Sequence, residues 1–181
     1  MTELAGAVVY AVVPFAPEPP FRIFAGAGKK PVEVNTAKPL LDAARKGGDA
    51  EMSFIVPGKA RPVLVISDGY DDRLDEVLAL RLIRFGKLSG DEQEEVRGQQ
   101  DPSLFHLPPD RFDLTEENAV MIASLVRVSR DALDERPAGT LDTNELRVVH
   151  ERVARHYQLD LYGLVRERLK QLGARQREQR G

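Results

Sequence analysis

Apolar residues fall in short runs along most of this chain and change to a helical period only near its end. Ala7 to Val13 is apolar and rich in β-branched residues, which predicts a strand. It runs into Pro14-Phe15-Ala16-Pro17-Glu18-Pro19-Pro20, where the prolines forbid helix and central strand and predict a stiff extended loop. Between Lys30 and Asn35, Val32 and Val34 alternate with polar neighbours as in a short strand. Pro39 to Arg45 predicts a turn or two of helix, stopped by Gly47-Gly48, and Met52 to Val56 is another short apolar run. Pro62-Val63-Leu64-Val65-Ile66 is the strongest strand; it is apolar on both sides, so both should be buried. A second long strand, Val77 to Phe85, carries Arg81 and Arg84. Gly86 to Pro102 is polar and acidic and reads as a long surface loop, after which Ser103 to Leu107 and Asn118 to Val128 complete the strands.

Helical patterning begins after Asp142. Asp142-Thr143-Asn144-Glu145 places a capping oxygen and an acidic third residue as in a capping box, and Leu146, Val149, Val153 and Tyr157 then form one apolar stripe. Leu161, Val165, Leu169 and Leu172 continue at helical spacing. Short strands followed by a terminal helix predict an α+β fold: a small barrel or curled sheet with a helix packed on it. The stretch from 14 to 60 holds Phe21, Ile23, Phe24, Phe54 and Ile55, too much apolar surface to leave in water, so it is expected to be partly ordered.

Composition narrows the class. Hydrophobic residues make up 42% and charged residues 30%, the profile of a globular protein, and 181 residues suffice for one domain with a full core. With no cysteine, disulfides and thiolate metal sites are excluded. No apolar stretch approaches the roughly 20 residues that span a bilayer, and the N-terminus has no secretory pattern, so the expectation is a cytoplasmic protein with no membrane contact. Net charge is −3, yet the end of the chain from Arg166 carries six basic residues against Glu167 and Glu178. Such a tail suits either a nucleic-acid arm or a solvated helix end.

Several segments, in order, resemble the MazF/PemK family of bacterial toxins. They are Gly6-Ala7-Val8-Val9-Tyr10, Arg61-Pro62-Val63-Leu64-Val65-Ile66-Ser67, the strand from Asn118 ending in Arg130-Asp131-Ala132-Leu133, and Thr140-Leu141-Asp142 with its capped helix. The resemblance implies an SH3-like small β-barrel with a long insertion after the first strand and a C-terminal helix. On that reading residues 1–160 are the barrel domain, 14–60 its insertion, and 161–181 a helical basic extension. It further implies the toxin of a type II toxin–antitoxin system: a homodimer that cleaves single-stranded RNA without metal or cofactor and is neutralised by an antitoxin protein. Three family features are missing. No Glu-Gln-x-Gly precedes Arg61, no threonine or serine stands at Leu82 to Arg84, and Ala123-Ser124-Leu125-Val126-Arg127 replaces the usual Asp-Gln-x-Arg-Thr. These departures keep a second reading open, a catalytically silent barrel of the same fold acting as a binding or assembly module.

Cleavage of RNA by attack of its own 2′-hydroxyl needs a base, an acid and a cation for the phosphorane. Arg61, the one family position that transfers, suits the cation, and suits equally an ion pair at a strand start. His106 is the candidate for proton transfer, with a structural histidine as the alternative. Arg81, Arg84 and Arg127 are candidate RNA contacts; Arg81 and Arg84, three apart on a strand, should face opposite sides. His150 and His156, six apart on a helix, do not share a face, and no zinc site is expected. Asp68, Asp71, Asp72 and Asp75 crowd one turn and are read as a turn rather than as magnesium ligands.

Overall fold

The computed structural model describes residues 4–15, 18, 20–24, 32–36, 38–45, 53–67, 75–160 and 163. It divides into two compact units, Met1–Ala11 with Arg61–Gly181, and Val12–Ala60. The boundary falls within β1 (Ala7–Pro14) and β5 (Gly58–Ser67).

The smaller unit holds β2 (Phe21–Phe24), β3 (Val32–Val34), α1 (Lys38–Arg45) and β4 (Ser53–Ile55). Its three strands form an antiparallel sheet in the order β3-β2-β4, with Arg22 paired to Glu33 across it at 3.1 Å. The segment is therefore structured at Phe21 to Phe24 as well, a strand that the preceding prolines concealed in the sequence.

The larger unit is an α+β arrangement. Its sheet follows the order β7-β8-β6-β5-β1-β9, with β6 at Glu76–Arg84, β7 at Leu104–Leu107, β8 at Asn118–Ser129 and β9 at Gly139–Thr140. The pairs β5–β6, β6–β8, β7–β8 and β1–β9 are antiparallel. Val8, Leu64, Ile66, Leu80, Leu82, Val120 and Ile122 line one face and form a core with Val149 and Val153 of α3 (Thr143–His156), while Leu146 packs at its margin. The opposite face is buried too at Val9, Val63, Val65, Val77 and Ala79, as the doubly apolar β5 predicts. The predicted capping box is in place: Asp142 accepts from the backbone N–H groups of Asn144 and Glu145, and Glu145 accepts from that of Asp142. Tyr157, the last member of the apolar stripe, stays exposed and donates its hydroxyl to the carbonyl of Ala123.

One sequence expectation is corrected. The supposed surface loop from Gly86 to Pro102 holds a 3₁₀ turn, Phe85–Lys87, and a helix, α2 (Gly90–Arg97). A second capping box, Ser89 with Glu92, starts the helix, and Val96 is fully buried in a small cluster with Phe85 and Ala119. Asp68, Asp71 and Asp72, and the expected helical tail beyond residue 160 apart from Gly163, lie outside the described residues. No described helix is long and apolar enough to cross a membrane.

Candidate functional site

Strand alternation and register decide which candidate residues can share a site. On β6, Leu78, Leu80 and Leu82 face the α3 core, so Val77, Ala79, Arg81 and Ile83 face the other way. Val63 stands directly across from Arg81, and Arg61, two residues earlier on β5, shares its face. The pairing of β5 with β6 runs from Val63–Arg81 to Ser67–Leu78, and Arg61 lies two residues beyond its end on the face of Arg81. Both arginines are half-buried.

Opposite Arg81 the ladder is irregular. Leu80 pairs with Leu125 but Leu82 with Val120, so Met121 to Ser124 stand across from Arg81 alone. The shift is an odd number of residues. It moves Ser124, Val126 and Val128 to the Arg81 face, although Val120 and Ile122 point into the α3 core. The hydroxyl of Ser124, itself only 5% exposed, accepts the Nε–H of Arg81 at 2.5 Å. Sequence reasoning noticed Ser124 only as a departure from a family motif, and nothing in its own neighbourhood announces the bulge.

The other candidates lie elsewhere. Arg84, across from Asn118, pairs with Glu116 at 2.8 Å, and Arg127, across from Leu78, pairs with Glu76. Both stand on the opposite face of the sheet from Arg61 and Arg81, six residues apart along β6, or about 20 Å. His106 does share the Arg61 face. Its register partner is Ala119, which pairs in turn with Ile83, so His106 lies three strands, about 14 Å, from the β5 position of Arg61.

His106 belongs to a cluster that includes two residues missed in the sequence. Its Nε2 lies 2.7 Å from Glu117, and its ring packs on Phe85 with centroids 5.3 Å apart. Arg97 of α2 donates to both oxygens of Glu117, at 3.1 and 2.8 Å, and its guanidinium stacks 4.7 Å from the Phe85 ring centroid. Those Arg97 hydrogen bonds, helped by His106 and opposed by burial, hold the Glu117 carboxyl below its ordinary value. The cluster ties α2 to the sheet. The remaining helix histidine of the core side, His150, bonds the carbonyl of Ile66 at 2.8 Å. Among the described residues no group of three or more His, Asp or Glu is placed to hold a metal.

Arg81 and Arg152, both half-buried, bond neutral oxygens. Among the described residues of this unit, Arg84, Arg97, Arg111, Arg127, Arg130 and Arg147 each face a carboxylate. Arg81 faces a neutral hydroxyl.

No protein-family model matches the chain, and no curated protein matches it. It is similar to solved structures. The Mycobacterium tuberculosis toxin MazF-mt6 is 17% identical with a TM-score of 0.41, over 56% of this chain and 90% of that one. An endoribonuclease in complex with its cognate antitoxin, from a mycobacterial species, is 16% identical with a TM-score of 0.43, over 87% of this chain and 97% of that one.

Proposed function

We propose that this protein is a MazF/PemK-like toxin of a type II toxin–antitoxin system. It acts in the cytoplasm as a homodimer that cleaves single-stranded RNA without a metal and is neutralised by an antitoxin protein. The observation that carries the reading is that Arg61, two residues from Val63, falls on the same face as Arg81 of the neighbouring strand. Guanidinium groups on one face suit the oxygens of a phosphodiester backbone. Arg61, at the start of the buried stretch of β5, has a firmly held backbone, as a pre-organised cation for a phosphorane requires. The ordered sequence segments that resemble the family supply the reaction class.

Tightly induced expression, with growth and RNA cleavage as readouts, tests this. Wild type is expected to arrest growth and to cut single-stranded RNA in the presence of chelator, with Arg61→Ala slower by on the order of 100- to 1,000-fold. Cleavage that needs magnesium and is equal in Arg61→Ala would overturn the reading. The position of His106, bonded to Glu117 and three strands from Arg61, favours the second reading, a catalytically silent barrel of the same fold acting as a binding or assembly module. RNA binding without cleavage, sensitive to Arg61→Ala, would decide for that one.

A further inference from the structure

We infer that Arg81 and Ser124 form a built clamp for one phosphate group, with Ser124 as the positioning residue that aims the guanidinium. The clamp rests on the RNA reading above for the source of the phosphate, the backbone of a single strand.

Three features of the pair argue for it. First, Arg81 is half-buried and its partner is a neutral hydroxyl; Arg152 of the same unit also bonds neutral oxygens, but it spends its terminal N–H groups on three backbone carbonyls, whereas the hydrogen bond of Arg81 among the described residues engages Nε. A partly desolvated cation is unfavourable without a counter-charge, and a ligand that brings a negative charge supplies one. Second, the bond to Ser124 engages Nε and leaves the four N–H groups on the two terminal nitrogens in the planar fork that matches two phosphate oxygens. A carboxylate in place of Ser124 would have fixed the side chain equally well but cancelled its charge. Third, the bulge is what brings the hydroxyl there. A regular ladder would have set one residue of β8 across from Arg81; instead Met121 to Ser124 stand there and the strand changes face. Bulges of this kind re-aim a side chain beside a working site. Arg61 lies on the same face, two residues from Val63.

The test uses the full chain and two probes. Inorganic phosphate is titrated while the Nε–H resonance of Arg81 is followed by NMR, and binding of a single-stranded RNA oligonucleotide is measured by anisotropy across a range of salt. Wild type should show a phosphate-dependent shift of the Arg81 signal. Arg81→Ala should weaken RNA binding by about 10- to 100-fold and lower the salt slope by about one contact. Ser124→Ala should lose most of that affinity while keeping the salt slope, since the charge remains, and Ser124→Thr should restore it. Arg81→Lys, which keeps the charge and loses the fork, should behave like Ser124→Ala, and it covers the case in which Arg81→Ala does not fold. If RNA binds but Arg81→Ala or Arg81→Lys matches wild type, the clamp is wrong and the RNA reading survives. Should phosphate shift the Arg81 signal while wild type ignores RNA, the RNA reading falls and the phosphate site stands with a free anion as its ligand. A Ser124→Ala variant indistinguishable from wild type with both probes removes the positioning role.

Discussion

Gly139 sits in β9 where a methyl group has no room, and Gly139→Ala should be among the costlier single-methyl changes in the larger unit. A Cβ there would lie 2.5 Å from Cδ1 and 3.1 Å from Cε1 of Phe112, and 2.9 Å from the carbonyl oxygen of Arg111. The ring cannot swing away freely, because Phe112 is 3% exposed and belongs to the main core. The carbonyl cannot retreat either: the next residue but one, Asp113, donates its N–H to Ala138 at 2.7 Å, and Ala138 donates to Val8 at 2.7 Å. Overpacking of this kind costs about 1–3 kcal/mol, and one contact to backbone puts this site in the upper half of that range. Removing glycine from the unfolded chain returns about 0.4–1 kcal/mol, so a net loss of about 1–2.6 kcal/mol is expected by urea denaturation. That corresponds to a Tm lowered by roughly 2–10 °C. Phe112→Leu removes the ring, so the cost of Gly139→Ala in that background should fall by about 1 kcal/mol without vanishing, since the Arg111 carbonyl remains. A Gly139→Ala protein within 0.3 kcal/mol of wild type, a threshold set at about the additivity error of such cycles, would show that the β9 segment is looser than drawn and refute the reasoning.

Arg152 donates to the carbonyls of Gln99, Asp101 and Leu104 from a partly buried position; Arg152→Met should cost about 2–4 kcal/mol and expose residues 98–103 to limited proteolysis. Asp142→Ala removes the cap of α3 and should cost about 1 kcal/mol by chemical denaturation, while Asp142→Asn should cost less than half of that. Glu117 and Glu145 are held below the ordinary carboxyl range, chiefly by hydrogen bonds from Arg97 and Arg111 respectively, with burial opposing. Their contribution to stability is therefore complete above the unfolded carboxyl value and lost as pH falls through the folded one. Stability should drop from about pH 5 downward, and Glu117→Gln should flatten part of that fall.

Legibility differed from element to element for physical reasons. The strand at Arg61 and the capped helix after Asp142 were readable because burial on both faces, and a cap followed by an apolar stripe, leave direct marks on the residue pattern. The helix at Gly90–Arg97 carries the same capping signature, Ser89 with Glu92, yet buries little more than Val96, so its period is almost invisible. The two residues of β9 are too few for any period; they are held by backbone bonds and by the absence of a side chain at Gly139. Site geometry was the least legible. Val120, Ile122, Val126 and Val128 keep an unbroken alternation in the sequence, while the bulge sends the two halves of β8 to opposite faces. The expectation that Arg81 and Arg84 face apart holds, because β6 itself is regular there. That Arg97 and Glu117 would engage His106 depends on a contact across 20 residues that no local pattern encodes.

The margins of the larger sheet govern how the molecule can meet others. Among the described residues, one margin is β7, four residues long and followed at once by Pro108 and Pro109; the other is β9, two residues long. A visiting strand would find few free backbone groups to pair with on either side, and proline offers no N–H. Growth of the sheet from molecule to molecule is therefore discouraged, which protects strands as rich in valine as Ala7–Pro14 from stacking into fibrils. In the larger unit, specific association is left to faces, helices and loops, where side chains rather than backbone ladders choose the partner.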